Sequence, residues 1–386
     1  MRAVGVVLAV WLAGLGAAAQ FGKVSVVWEV MAQHYGEAGP VALGLVVSVV
    51  GLVGLVFGTT AGLILGRVGM RRALVAALVV GAVASGVQAG LPGYGVMMAL
   101  RVAEGVSHLV IVVAGPVIIA GVTVGRHQGL AMTVWSSFFG VTYAVLGLVA
   151  PVVLAAGGVA GLFVGHGVWM AGAAVLCLWV VPRDAPREVE RFGGVVAQHL
   201  AIYASPRVSA PALGFVFYTM AYVALLTLVP PLFGGALRDV AATGMPVVSI
   251  VLSLTLGVWA LRHMAAVRLV QAGFLVAAFG VGVFALGLGL GEGAMLAGAL
   301  IVAGALGLVQ GASFAAIPQL NPAPEDRARA AGAIAQMGNV GTVTGTPLLA
   351  AMMAGAGGWG VVVFALPLCL AGIAMHGWLA RRRGAF

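Results

Sequence analysis

Three charged residues lie inside long apolar runs of the sequence, where a charge is costly and usually serves a function. Lys23 is the only lysine of the chain, and Arg101 and Glu104 lie together in a later apolar run. Arg101, Glu104 and His108 are spaced i, i+3 and i+7, so on a helix they share one face. Burial raises the proton affinity of a carboxylate and neighbouring cations lower it. These four residues are therefore candidates for binding a proton or an anion.

Each of these residues has two interpretations that the sequence leaves open. Lys23 either faces an internal cavity as a cation or extends to the outer interface near Trp28 and Glu29. Arg101 and Glu104 form either an ion pair that holds helices together or a site in which Glu104 accepts a proton. In both cases the charged face points away from lipid, because lipid would not solvate it.

The composition places the chain in a membrane. Of its 386 residues, 62% are hydrophobic and only 8% are charged, whereas soluble domains carry about 25% charged residues. The apolar runs are long and unbroken, unlike the short alternating segments of membrane barrels. A helical span needs about 20 residues, so we predict an all-α membrane protein with roughly a dozen spans.

Hydropathy and turn residues predict twelve transmembrane helices. The predicted spans lie near residues 4–30, 41–65, 73–91, 96–121, 129–155, 160–181, 208–232, 244–261, 266–290, 294–318, 328–354 and 358–380. The start of the chain resembles a signal peptide, but its apolar run continues past the small-residue stretch, so we expect a retained first helix.

The polar stretch in the middle divides the spans into two sets of six. We predict an N-terminal six-helix bundle at 1–181, a cytoplasmic linker at 182–207 and a C-terminal six-helix bundle at 208–386. Within the linker, Val195 to Ala204 is interpreted either as a short amphipathic helix on the membrane surface or as part of a solvated connection.

The distribution of basic residues predicts the topology. With both termini in the cytoplasm, 16 of the 19 basic residues fall in cytoplasmic segments and only Arg238 falls outside, as the positive-inside rule requires. We therefore expect a multi-pass protein of the inner (cytoplasmic) membrane. The charges are scattered over separate loops without aromatic interleaving, which does not favour nucleic-acid binding.

The two halves also repeat each other in sequence. The repeated pairs, in chain order, are 62–67 with 257–262, 104–107 with 310–313, and Arg126 and Gly140 with Arg327 and Gly341. Internal symmetry of this kind is typical of secondary-transporter folds.

The segment Gly62-Leu63-Ile64-Leu65-Gly66-Arg67-Val68-Gly69-Met70-Arg71-Arg72 resembles the loop motif G-x-x-x-D-R-x-G-x-R-R of the major facilitator superfamily (MFS). The fourth span adds Arg101 and Gly105, similar to the R-x-x-x-G motif of that family. The acidic position of the loop motif is Gly66 here, and Leu261 occupies it in the weaker second copy. In the family this carboxylate makes charge contacts that hold one conformation of the gate, so its absence puts that gating scheme in doubt.

The resemblance implies two pseudo-symmetric six-helix bundles in which helices one, four, seven and ten line a central cavity. In the second half, these helices would present Tyr218, Tyr222, Gln310 and Ser313. Further polar candidates, on the eleventh span, are Gln336 and Asn339.

These features predict a secondary active transporter that works by alternating access and is coupled to protons. Two cations against one carboxylate favour a small organic anion as substrate. The alternative is proton-driven efflux of lipophilic or cationic compounds, with Glu104 as anchor and Tyr218 and Tyr222 as cation–π surfaces. A channel or a membrane-embedded enzyme is a more remote interpretation.

No enzymatic activity is expected, because the sequence lacks a phosphate-binding loop and the H-E-x-x-H and G-x-S-x-G signatures. Cys177 and Cys369 lie alone in apolar runs, so no disulfide framework and no metal site are expected. No cofactor is expected either. The expected partners are a small-molecule substrate, protons and the lipid bilayer, with the chain working as a monomer.

Overall fold

The computed structural model describes residues 2–124, 131–132, 134–184 and 195–384, with the side chains of residues 2, 62–64, 195–198 and 324 left out. Arg126, Arg187 and Arg191, which the topology prediction used, lie outside these ranges. Throughout the described ranges the regular structure is helical and includes no strand, as the apolar runs predict. The prediction of an all-α protein is confirmed.

The described part of the chain contains fifteen α-helices longer than one turn. They are α1 Arg2–Ser25, α2 Trp28–Tyr35, α3 Pro40–Ser48, α4 Gly51–Phe57, α5 Ala61–Val68, α6 Met70–Gln88, α7 Tyr94–Val122, α8 Phe138–Val180, α9 Val195–Ala204, α10 Ala210–Leu228, α11 Gly235–Leu252, α12 Ala266–Leu290, α13 Glu292–Leu320, α14 Pro324–Ala356 and α15 Trp359–Arg382. A π-helical turn, Ser253–Gly257, and the short helix Val258–Ala260 extend α11.

Nine stretches of helix in the described residues are long and apolar enough to cross a membrane, or ten if the bent pair α3–α4 counts as one span. Helix α8 has 43 residues, about 65 Å at 1.5 Å per residue and roughly twice the thickness of a bilayer core. Its backbone leaves helical geometry at Gly158, where φ is 60°, at the predicted boundary between the fifth and sixth spans. Counting α8 as two spans and adding the 33-residue α14 accommodates the twelve predicted spans.

The chain forms two compact units. The first unit comprises Met1–Val27 and Val49–Phe192, and the second comprises Trp28–Ser48 and Gly193–Phe386. In the first unit, α1 packs against α7 and α8, and α6 packs against the same two helices. Its apolar core combines small residues of α1 with larger side chains such as Trp135 and Met170. Each of the three spans α1, α6 and α7 therefore has a buried face.

In the second unit, the closest packing is between α12 and α13, with α10 packed on α14 and α15. At Gly298, a Cβ atom would meet backbone atoms of Phe284 on α12. Glycine is therefore required where these backbones approach, as is typical of membrane helices that associate without a hydrophobic driving force.

The predicted second span, residues 41–65, is not one continuous helix. It is divided into α3, α4 and α5, and α3 packs on α14 within the second unit. Gly44 lies directly against the backbone of Pro347, and Ser48 Oγ donates to the carbonyl of Val343 over 3.0 Å. The span breaks without proline because its glycines have a low helix propensity and because α3 gains these contacts to α14.

The predicted helix in the linker is present as α9, Val195–Ala204. It contacts α14 in the second unit. Tyr203 Oη donates to Gln336 Oε1 over 2.8 Å, and Gln336 Nε2 lies 2.9 Å from His199 Nε2. The linker helix is thus held by a polar contact to the body of the second unit.

Candidate functional site

Lys23 lies in the last turn of α1 with its side chain fully buried. Its Nζ donates to Glu104 Oε1 and to Ser85 Oγ, each over 2.6 Å, and lies 3.3 Å from His166 Nδ1. The ammonium also sits 4.7 Å from the centre of the Phe163 ring. Lys23 therefore points into the helix bundle, and its ammonium does not extend to the outer interface.

Glu104 is the centre of the cluster. Its Oε1 accepts from Lys23, and its Oε2 accepts from Arg101 Nη1 and, over 2.8 Å, from Gln88 Nε2. Three donors on one fully buried carboxylate stabilise its ionised form. Ionised Lys23, Arg101 and Glu104 together give the cluster a net charge of +1.

Arg101 and His108 attach the charged face of α7 to the backbone of α1. Arg101 Nη1 donates to the carbonyl of Gln20 over 2.6 Å, and His108 Nδ1 lies 3.1 Å from the carbonyl of Ala17. The ring of His108 meets Phe21 edge to face, with 5.1 Å between centroids. The predicted common face of Arg101, Glu104 and His108 points inward, with all three buried.

Four neutral residues that the sequence reasoning did not select complete the cluster: Gln20, Ser85, Gln88 and His166. Gln20 precedes Lys23 by one helical turn, and Ser85 and Gln88 are spaced i, i+3 in the third span, so each pattern offered a weak signal. His166 is a single histidine in an apolar run, and only the packing of α8 on α1 brings it to Lys23.

Two buried acceptors in the cluster lack a donor. Gln20 Nε2 donates to Ser107 Oγ over 2.9 Å and Gln88 Nε2 donates to Glu104. Across the described part of the chain, no donor reaches Gln20 Oε1 or Gln88 Oε1. Buried acceptors are usually satisfied, so these two oxygens offer hydrogen-bonding capacity to a bound molecule or to water.

The loop motif has an acidic partner elsewhere in the chain. Gly69 adopts φ 98° before α6, a conformation that favours glycine. Asp184 accepts from the backbone amide of Arg71 over 3.0 Å at Oδ1 and from that of Arg72 over 3.4 Å at Oδ2, and the Arg71 side chain reaches the carbonyl of Leu178. A carboxylate at the first turn of a helix is stabilising, so Asp184 places an acidic group beside the motif whose own acidic position is Gly66.

The other two residues of the loop motif lie in the short helix α5, Ala61–Val68. Arg67 is in its last turn, and Gly62 is in its first. For Gly62, as for residues 63 and 64, only the backbone is described. Space is open around Gly66, so a side chain at the family's acidic position would meet no steric barrier.

The aromatic candidates of the second unit form a buried group on α10. Tyr218 and Tyr222 stack with 5.2 Å between centroids, and Phe215 contacts both Tyr218 and Phe314. This group supplies a wall of ring faces within the second unit.

The neutral polar candidates of the second unit are distributed over several contacts. Ser313 Oγ donates to the carbonyl of Val309, and Asn339 Nδ2 to that of Ala335, so both bond to their own helices. Gln310 is half-buried on α13. Gln336 is engaged by the linker helix. The predicted polar positions thus do not form one cluster comparable to that around Glu104.

Among the described residues, no group of three or more His, Cys, Asp or Glu side chains is arranged to hold a metal ion. Cys177 and Cys369 are both buried free thiols.

Comparison with known proteins assigns the chain to a family. A search of curated protein sequences finds no match. The crystal structure of the human organic anion transporter MFSD10 (TETRAN) has the same fold, with a TM-score of 0.71 and 17% sequence identity, over 97% of this chain and 99% of that one. The sequence profile of the Major Facilitator Superfamily matches residues 7–323. This match, together with the helical membrane fold, shows that the chain belongs to the Major Facilitator Superfamily.

Proposed function

We propose that the chain is a secondary active transporter that moves a small organic anion together with a proton by alternating access. The observation that carries this proposal is the unbalanced positive charge of the fully buried cluster Lys23, Arg101 and Glu104. A net charge buried inside a membrane protein is costly and marks a functional site. An anion is the ligand that would neutralise it. The fold shared with an organic anion transporter supports the same conclusion.

In this proposal, Lys23 and Arg101 attract the anion and Glu104 holds the two cations in place. Lys23 is the partner we assign to a substrate carboxylate, because Arg101 also donates to the backbone of α1. A substrate carboxylate would replace part of the contact between Lys23 and Glu104. The two cations would then each keep a negative partner.

The unpaired oxygens of Gln20 and Gln88 refine the substrate class. They accept hydrogen bonds but lack donors in the cluster, so they favour an anion that carries a hydroxyl or amino group beside its carboxylate. A site built to bond such a group rejects an analogue that lacks it. We therefore propose a hydroxy or amino acid anion rather than a plain alkanoate.

The geometry favours an anion over a cationic drug. Glu104, the anchor that a cation would need, already accepts from Lys23, Arg101 and Gln88. A cationic substrate would have to displace two buried cations and would add a third positive charge. The stacked pair Tyr218 and Tyr222 offers ring faces, but within the cluster the charge balance opposes a cation.

Uptake into proteoliposomes tests this function. The full chain is reconstituted with an alkaline interior, and labelled lactate, propionate, succinate and para-aminohippurate are tested against protein-free vesicles. We expect accumulation of an anion with a donor group, lactate above propionate. Lys23→Met removes a charge-assisted hydrogen bond worth about 1.5–3 kcal/mol, so transport should fall about 10- to 100-fold.

The matched control is Arg238→Met, which removes the cation of an exposed ion pair with Glu29. Surface ion pairs contribute little, so this variant should transport as the parent does. Undiminished anion uptake by Lys23→Met would overturn the proposal. A pH gradient that instead drives export of a lipophilic cation, such as tetraphenylphosphonium, would favour the efflux alternative.

The remaining features of the proposal follow from the sequence. We propose that the two six-helix bundles, 1–181 and 208–386, act as the alternating halves and that 182–207 links them on the cytoplasmic side of the inner membrane. We further propose that both termini face the cytoplasm and that the monomer is the working unit. Accessibility of single cysteines introduced at Arg238 and Arg262 to a membrane-impermeant reagent in whole cells tests the orientation.

A further inference from the structure

We propose that Lys23 carries the coupled proton and that His166 accepts it, which makes His166 a proton-transfer residue of the transport cycle. This inference rests on the proposed function and names the groups that couple proton to anion. It replaces the expectation that Glu104 changes its protonation state.

The hydrogen bonds of His166 fix its tautomer. Its Nε2 lies 3.0 Å from the carbonyl of Gly16, and a carbonyl oxygen only accepts, so Nε2 carries the hydrogen. In the neutral ring, Nδ1 is then the nitrogen with the free electron pair. That atom lies 3.3 Å from Lys23 Nζ and 2.9 Å from Ser85 Oγ. His166 thus presents a basic nitrogen to the only lysine of the chain.

Ser85 does not donate a hydrogen to this basic nitrogen. Its Oγ donates its single hydrogen to the carbonyl of Phe163 over 2.8 Å and accepts from Lys23 Nζ. With that hydrogen engaged, the donor available to His166 Nδ1 is the Lys23 ammonium. The contact between Lys23 and His166 is therefore a donor–acceptor pair with a proton between two nitrogens.

The other charged and titratable groups around Lys23 have fixed roles. From α7, Glu104 and Arg101 form the ion pairs already described, and His108 bonds to the backbone of α1. From α8, Tyr143 lies 3.2 Å from Ser25 Oγ. Helix α6 contributes the neutral Ser85 and Gln88. Glu104 is held by three donors, so its ionised form is favoured and Lys23 is the group left to lose a proton.

Charge balance couples the proton to the anion. With Lys23 protonated and no substrate, the cluster holds one excess positive charge, which burial disfavours. The empty site therefore favours release of one proton, whereas a bound monoanion neutralises the excess charge and retains the proton. Anion and proton consequently travel together, one of each, and the loaded cluster is neutral.

The transfer itself is a simple proton exchange. A Lys23 Nζ–H bond breaks and a His166 Nδ1–H bond forms, so the ammonium becomes an amine and the imidazole becomes an imidazolium. Water in the open aqueous phase then takes the proton from Nδ1. The reverse sequence reloads Lys23 when the site opens to the other side.

Two substitutions separate proton transfer from anion binding. His166→Gln introduces an amide that is able to donate to the carbonyl of Gly16 and to accept from Lys23, as the imidazole does, but the amide has no basic nitrogen. Lys23→Arg keeps the positive charge and its donors, but an arginine is not deprotonated in proteins. The control is Trp169→Phe, which removes another hydrogen bond from α8 to a carbonyl of α1, that of Leu12 over 3.0 Å.

The assay compares two modes in proteoliposomes with labelled lactate. Lactate exchange between equal concentrations needs no net proton movement, whereas accumulation driven by a pH gradient does. We expect the ratio of proton-driven accumulation to exchange to fall about tenfold or more below that of the parent in both variants, since positioned proton transfer contributes about 10²–10⁴ in rate. Trp169→Phe should keep both modes.

The outcomes distinguish this inference from the proposed function. Proton-driven accumulation at parental level in either Lys23→Arg or His166→Gln would overturn the assigned proton path while leaving the anion transporter intact. Absence of any lactate, succinate or para-aminohippurate transport by the parent would instead overturn the proposed function. Because the two variants are independent, a folding failure of His166→Gln leaves Lys23→Arg as the deciding measurement.

Discussion

The substitution Glu104→Gln should be far more destabilising than Lys23→Met, although the two residues form the same ion pair. Glu104 forms ion pairs with two buried cations, whereas Lys23 forms an ion pair with one carboxylate, which also accepts from Arg101 and Gln88. With Lys23 protonated, Glu104→Gln raises the excess charge of the cluster to two, and Lys23→Met removes the excess charge. Burial of both side chains prevents water from compensating the loss.

The distance between Lys23 and Glu104 sets the size of the expected destabilisation. Two unit charges 2.6 Å apart attract each other by about 6 kcal/mol at an effective dielectric constant of about 20, and much of this offsets desolvation. Removing one partner of a buried pair costs about 3–5 kcal/mol, equivalent to about 10²- to 10⁴-fold in the unfolding equilibrium. Lys23→Met should cost less, about 1.5–3 kcal/mol for a lost charge-assisted hydrogen bond, because Glu104 keeps Arg101 and Gln88 as donors.

Equilibrium unfolding in mixed detergent micelles, followed by tryptophan fluorescence, measures these differences. The double variant Glu104→Gln/Lys23→Met should recover about 1–3 kcal/mol relative to the sum of the single effects, because residues in one network couple by that amount. Equal destabilisation by the two single variants, or a coupling free energy near zero, would refute the reasoning about the excess charge.

Three further substitutions test other parts of the structure. Asp184→Ala removes a cap from the first turn of α6 and should lower the free energy of unfolding by about 1 kcal/mol, measured against the parent in the same micelles; an unchanged value would show that the contact is not stabilising. Gly105→Ala places a methyl group against the carbonyl of Val50 and should destabilise by about 1–3 kcal/mol, seen as a lower midpoint of thermal unfolding. Burial raises the pKa of Tyr203 to about 12, so its protonated form stabilises the fold fully below pH 10, the ordinary pKa of tyrosine, and this contribution is lost as pH rises from 10 to 12. Tyr203→Phe, which also loses the hydrogen bond to Gln336, should lack this component of the alkaline decline, and an identical pH profile would contradict the assignment.

The sequence predicts the membrane class and most spans because apolar length is a local property. The boundaries at Gly157–Gly158 and the helix at Val195–Ala204 also follow from local signals. The break in the second span does not, because its cause lies in α14, where Pro347 contacts Gly44. Tertiary contacts between distant segments decide such breaks, and hydropathy carries no record of them.

The candidate site is likewise only partly predictable from the sequence. Arg101, Glu104 and Lys23 are predictable because a buried charge is rare in an apolar run. His166 and Ser85 are not, since their roles depend on how α6 and α8 rotate toward α1. Asp184 illustrates the same limit: it lies more than 110 residues from the loop motif in sequence, and only the fold places it there.

We propose that one buried positive charge couples one anion to one proton. The direct measurement is the ratio of protons to anions during transport, with labelled lactate and an internal pH dye recorded together in proteoliposomes. We expect one proton per lactate and no dependence of uptake on membrane voltage. Lactate accumulation without proton entry, or a rate that rises with an inside-positive potential, would contradict it.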